Sequence, residues 1–246
     1  DIKNPETYVD YLLSFAENGK ITMNEVEADI AAIFSAATDT TSSTLEFAII
    51  LSAKYPDVTK LVQNELISMY NSQITGDTNS ESIRRFDINW LNKLTLFRAF
   101  VYEILRVSCV AKVGLPHFTI NEIPVDIDEH KSKYVIPKHC VVLYMSDKIH
   151  HSINENWKQI DGIHLQNWIN SDGNFEMNNS FILFGFGRRN CVGLQLALKE
   201  IYIILGYLLL NYQFSFKNNN DITIETTWNG VTIIDPPIGV NVQKIA

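Results

Sequence analysis

Apolar positions between Pro5 and Glu17 recur at helical spacing (Tyr8, Tyr11, Leu12 and Phe15), and Asn18-Gly19 follows as a stop, which predicts a short helix. Thr22-Met23-Asn24-Glu25 then sets a hydroxyl and a carboxylate three residues apart, a capping-box pattern, and no proline or glycine interrupts the chain from there to Lys54. That run predicts one helix on the order of 45 Å long. Its stretch from Ala31 to Leu51 is apolar nearly all round, apart from Glu46 and the polar run Thr38 to Thr44. A helix of that texture is expected to cross a core, leaving the polar run in need of partners. Pro56-Asp57 opens another helix to about Tyr70, the polar stretch 71–82 reads as a surface loop, and helical periodicity returns from Ile88 to Ser108.

After Gly114 the period shortens. Strands are predicted at 118–120, 134–137 and 141–145, a brief one at 181–184, and further strands at 212–216 and 222–224. Asn229-Gly230, between Thr226-Thr227-Trp228 and Val231-Thr232-Ile233, is a hairpin turn signal. The segment from Ser152 to Ser180 has no period and is longer than most loops, as expected of a segment that serves or wraps a site. The class is therefore mainly α with a small β-sheet.

The chain has 246 residues, 46% of them hydrophobic, and a formal net charge of −8. The acidity argues against nucleic acid as a partner, since no basic cluster exceeds Arg84-Arg85 or Arg188-Arg189. Cys109, Cys140 and Cys191 form no C-x-x-C pair, so neither a disulfide framework nor a four-ligand zinc site is indicated. The apolar run Ile201–Leu210 is shorter than the roughly 20 residues of a membrane helix, and no signal peptide follows Asp1.

The concentrated chemistry lies in Phe184-Gly185-Phe186-Gly187-Arg188-Arg189-Asn190-Cys191-Val192-Gly193, directly before an apolar helix. A thiol at a helix N-terminus meets free backbone N–H groups and the positive end of the helix dipole, which favours its anion. A dinucleotide loop does not fit, because Asn190 stands where the third glycine belongs, and a phosphate loop would need a Lys-Ser/Thr pair that is missing. A plain buried structural cysteine leaves the glycines and arginines unexplained.

The pattern F-G-x-G-x-R-x-C-x-G resembles, at each of its six specified positions, the haem-ligand loop of the haem-thiolate monooxygenases, the cytochrome P450 family. The resemblance implies haem b with Cys191 as axial ligand to the iron. It places Phe184, Gly185, Gly187 and Gly193 around the sulfur, Arg189 on a propionate and Arg188 toward solvent. Thiolate donation favours O–O cleavage in such centres. Ala36-Ala37-Thr38-Asp39-Thr40-Thr41 resembles the family's oxygen-binding signature, with Ala37 in place of a usual glycine. Taken alone, such a cluster is more often a cap or a back-bonded hydroxyl. By the resemblance, Thr40 holds dioxygen or its water by a hydrogen bond and Asp39 relays protons. Glu103-Ile104-Leu105-Arg106 resembles the family's buried E-x-x-R pair, completed by Asn167 in Leu165-Gln166-Asn167-Trp168. In Gly114-Leu115-Pro116-His117, His117 resembles a propionate contact, with a surface histidine as the other reading. His150 and His151 read as solvated. Val110–Leu115 and the hairpin tip Trp228–Thr232 are implied to line the distal pocket.

The resemblance covers nearly the entire chain but only the C-terminal half of the family: long central helix, E-x-x-R helix, irregular meander, cysteine loop and following helix. The chain is expected to be one partial domain, with the N-terminal half and any membrane anchor preceding Asp1. It implies a monooxygenase acting on an apolar small molecule, fed by a flavoprotein or ferredoxin-type reductase that docks near Arg188 and Lys199. A complete relative would face the cytosol at the endoplasmic-reticulum membrane. Two other readings stay open: a truncated remnant that binds haem weakly or not at all, and, more remotely, a haem sensor or carrier.

Overall fold

The structure, a computed structural model, describes residues 4–73, 88–126, 133–153, 157, 159–217 and 222–245. Arg84-Arg85 and most of the loop expected at 71–82 lie outside these residues, as does part of the irregular segment. The chain divides into two compact units, residues 1–42 and 43–246.

In the first unit, α1 (Tyr8–Glu17) starts at a capping box in which the Thr7 hydroxyl accepts from the Asp10 N–H and the Asp10 carboxylate accepts from the Thr7 N–H. The second helix, α2 (Met23–Lys54), starts at the predicted box: Glu25 Oε2 accepts from the Thr22 N–H at 2.7 Å. It runs unbroken for 32 residues because nothing in it interrupts the i to i−4 ladder. Its burial departs from expectation. Within residues 23–42 only Val26 is buried, Phe34 is 73% exposed, and Ile30 and Ile33 also face out. Burial begins at Ser43 and continues through Phe47, Ala48, Ile50 and Leu51.

The second unit holds the core. Beyond Tyr55, α3 extends from Pro56 to Gln73, past the predicted end at Tyr70. The expected helix from Ile88 to Ser108 is two, α4 (Ile88–Leu91) and α5 (Thr95–Ser108), with Asn92-Lys93-Leu94 turning the chain between them. Glu65 of α3 accepts the first N–H groups of α5, from Leu96 at 3.0 Å and Phe97 at 2.8 Å, and so caps α5 from outside its own sequence. Helix α7 (Leu194–Asn211) packs Gly206 against Leu91 and Phe97. Although the sequence argued against a span, α7 is long and apolar enough to cross a membrane by length and composition; here Leu205, Leu209 and Leu210 on its inner face join the core.

The β-structure is not one sheet. Among the described residues it forms four antiparallel pairs: β1 (His117–Phe118) with β4 (Val141–Val142), β2 (Ile123–Asp126) with β3 (Lys133–Ile136), β5 (Tyr212–Phe216) with β8 (Val240–Lys244), and β6 (Thr226–Trp228) with β7 (Thr232–Ile234). The predicted hairpin is present, with Trp228 paired to Thr232 across a three-residue loop in which Gly230 takes φ +83°. Residues 181–184 and 222–224 are not strands. Phe181 and Phe184 pack onto the core instead, and the Gly185 N–H turns back to the Ile182 carbonyl at 2.8 Å.

Candidate functional site

The cysteine loop is built by backbone. Gly185 and Gly187 take φ +74° and +67°, a region L side chains rarely enter. The Cys191 N–H donates to the Phe184 carbonyl at 2.7 Å, closing the loop on itself. Residues Gly187–Arg189 form a 3-10 turn, and the helix begins at Leu194, one turn beyond the cysteine where the sequence placed it. The reason is local: the Ala197 N–H is the first donor with an α-helical partner, the Gly193 carbonyl at 2.8 Å. Cys191 is exposed, and a Cβ on Gly193 would sit 3.8 Å from its sulfur. Arg188 and Arg189 are both exposed. Phe184 turns its ring to Phe181, 6.2 Å between centroids.

A second feature adjoins the loop. A Cβ on Gly114 would lie 2.0 to 2.5 Å from three ring atoms of Tyr144, so only glycine admits that ring. The Tyr144 hydroxyl comes to 3.0 Å from the Cβ position of Gly185, and its ring meets Phe186 at 5.5 Å. Tyr144 therefore connects the Gly114–His117 segment to the cysteine loop, a tie that no sequence pattern announced. His117 is exposed on β1.

Behind the loop, the Glu103–Arg106 pair is fully buried, both residues at 0% exposure. Arg106 donates twice to the Glu103 carboxylate, at 3.0 and 2.8 Å. Glu103 also accepts from Asn167 Nδ2 at 3.1 Å, the His164 N–H at 2.9 Å and Trp168 Nε1 at 2.6 Å. The rest of the guanidinium donates to the carbonyls of His150, Ile160 and Gly162 at 3.0 to 3.1 Å. Every nitrogen of the guanidinium and both carboxylate oxygens thus have a partner, which is what makes a buried ion pair tolerable. Asn167 takes the expected third place; Trp168 joins it although only Asn167 was foreseen.

His150 is not solvated as expected. It is fully buried, stacked on Phe181 with centroids 5.2 Å apart and edge-on to Trp157. Burial, then the neighbouring His151 and Arg106, pushes its imidazole down to about 3. His151, half-buried, faces the Asp147 carboxylate at 3.2 Å. Cys109 caps α5 in the left-handed region at φ +35°, and burial pushes its thiol up to about 12. The β6–β7 hairpin reaches this turn: the Thr232 hydroxyl donates to the Cys109 carbonyl at 3.2 Å and its N–H to the Val110 carbonyl at 2.9 Å. The two segments implied to share a pocket wall are thereby joined.

Asp39 and Thr40 belong to the 1–42 unit. Asp39 is exposed, and the Thr40 hydroxyl donates to the Ala36 carbonyl at 2.7 Å, as Thr38 does to Phe34 at 2.8 Å. Both are back-bonded hydroxyls of the kind common in helices.

A family profile described as cytochrome P450 matches residues 1–242. The chain is similar to cytochrome P450 2C29 of Mus musculus, 29% identical over 246 residues that cover 96% of this chain and 46% of the relative. It is 30% identical to cytochrome P450 2C12, female-specific, of Rattus norvegicus, with the same coverage. Similarity to the probable cytochrome P450 508A4 of Dictyostelium discoideum is 30% over 240 residues, 94% of this chain and 45% of the relative. The chain spans about half the length of these curated relatives.

Proposed function

The chain belongs to the cytochrome P450 family, and from that premise we propose that it carries the thiolate-donating half of a haem monooxygenase. The observation that carries this reading is the exposed Cys191 thiol, held on a loop that two positive-φ glycines bend and a third leaves open beside the sulfur. The donor set suits haem b. A thiol is available to iron, exposed Arg189 and His117 are available to propionates, and exposed Val192, Phe186 and Leu115 offer apolar surface to the macrocycle. Once bound, the haem supplies dioxygen activation for insertion of one oxygen atom into an apolar organic substrate.

The chain's own residues do the positioning. Gly193 leaves the space beside the Cys191 sulfur open, Gly185 and Gly187 bend the loop at positive φ, and Phe184 fixes the Cys191 amide through its carbonyl. The Glu103–Arg106–Asn167 network ties α5 to the irregular segment that precedes the loop. Thr40 holds a proton at Oγ1, now given to the Ala36 carbonyl, and the Asp39 carboxylate beside it is exposed. Electrons arrive from a flavoprotein or ferredoxin-type reductase that docks on the exposed Arg188 and Lys199. Polypeptide equivalent to the uncovered half of the relatives completes the cavity, brings any membrane anchor, and places the complete protein at the endoplasmic-reticulum membrane, facing the cytosol.

One observation favours a second reading, in which this chain alone holds haem weakly. Val192, beside the cysteine, is 88% exposed, and a catalytic pocket must exclude water. Haem titration of the chain separates the readings. Saturable binding that weakens about tenfold in Arg189→Ala and again in His117→Ala supports the propionate cradle. Binding unchanged in both variants contradicts it, and the absence of saturation selects the weak-binding reading.

A further inference from the structure

His150, the last residue of α6 (Ser146–His150), touches both halves of the machinery behind the thiol. Its carbonyl accepts from Arg106 Nη1 at 3.0 Å. On the other side its ring Nε2 accepts the Ile182 N–H at 3.1 Å, while the ring lies flat on Phe181. The Ile182 carbonyl in turn accepts the Gly185 N–H at 2.8 Å, and the Phe184 carbonyl accepts the Cys191 N–H at 2.7 Å. The backbone carbonyl and the ring of one residue, His150, therefore link the Glu103–Arg106 pair to the start of the cysteine loop.

We infer that His150 is a positioning residue that holds residues 182–185 in register with the buried ion pair and so sets where the Cys191 sulfur stands. The position demands a flat apolar face for Phe181 and an uncharged acceptor for a half-buried N–H, and neutral imidazole supplies both. Because Nε2 accepts, the proton is on Nδ1, which has no partner among the described residues; the Ser146 hydroxyl, one turn earlier in α6, has none either. The useful contact is thus at Nε2 alone. A leucine would fill the volume and leave the Ile182 N–H unpaired. The purpose of this placement rests on the haem-thiolate reading, but the placement itself does not.

Three variants of the full chain test it by residue-resolved amide hydrogen exchange: His150→Leu, His150→Gln and His150→Asn. Glutamine can bring its amide oxygen to the Nε2 position, whereas asparagine reaches only the Nδ1 position. Exchange at Ile182 and Gly185 is expected to rise about tenfold in the leucine and asparagine variants and to return to within about threefold of wild type with glutamine. Core amides of α7, at Leu205 and Leu209, serve as the control and should stay unchanged. Should His150→Leu fail to fold, the contrast between glutamine and asparagine still decides. Equal exchange in all variants, rescue by asparagine instead of glutamine, or a rise as large in α7 as at Ile182 would each overturn the assignment. If the glutamine pattern holds while the haem-loaded chain lacks a thiolate spectrum, the positioning role stands and the haem reading fails.

Discussion

Individual side chains in this protein take their chemistry from burial more than from residue type. His150 is the clearest instance: an imidazole with an ordinary value of 6.5 is pushed down to about 3, first by burial and then by His151 and Arg106. The folded state keeps it neutral while the unfolded chain takes up a proton below about pH 6.5, so its contribution is whole above that value. Stability is then lost as pH falls from about 6.5 toward 3, with a slope of up to about 1.4 kcal/mol per pH unit. Urea unfolding near pH 7.5 and near pH 5 is expected to show a larger drop in wild type than in His150→Gln; equal drops would contradict the assignment. The sequence could not disclose this residue, because its burial depends on Phe181, distant along the chain, as well as on nearby Trp157 in the aperiodic segment. The tight loop around Cys191 was legible in its glycines, since Gly185 and Gly187 take positive φ, where L side chains rarely go.

At the level of elements, local signals were read well and non-local pairings poorly. The capping box at Thr22 and the Asn229-Gly230 turn act within four residues and were visible. Strands β2 and β8 were not, since β8 gains its identity only from pairing with β5, Tyr212 opposite Lys244. The E-x-x-R spacing placed both charges on one face of α5, but their partners come from some 60 residues downstream. Removing one charge strands the other in a dry site, so Glu103→Gln and Arg106→Leu should each cost about 3–5 kcal/mol in denaturant unfolding. Replacing both with leucine should cost clearly less than the sum, and strict additivity would show that the pair is not coupled. Gly114 offers a steric counterpart: Gly114→Ala drives a methyl into the Tyr144 ring, for a loss of about 1–3 kcal/mol. Adding Tyr144→Leu should recover most of that loss, and no recovery would place the strain elsewhere.

Across the whole chain, apolar surface is found in both compact units. In the 1–42 unit Tyr8, Tyr11, Phe15, Ile33 and Phe34 are exposed, and in the 43–246 unit Val192, Leu196, Ile203 and Ile204 are. Large apolar side chains in such numbers are characteristic of surfaces that other polypeptide covers. The expectation that α2 crosses a core was read from its own composition; burial in α2 is confined to Val26 and to residues from Ser43 onward. The overall charge is −8, yet Arg188, Arg189 and Lys199 put exposed cations near the cysteine in sequence. The central claim concerns one atom, the Cys191 sulfur, and its bond to haem iron. The absorption spectrum of the chain reduced with haem and exposed to carbon monoxide reads that bond directly. The account predicts a red-shifted thiolate Soret band in wild type that vanishes in Cys191→Ser, and a band of the same position and intensity in both would contradict it.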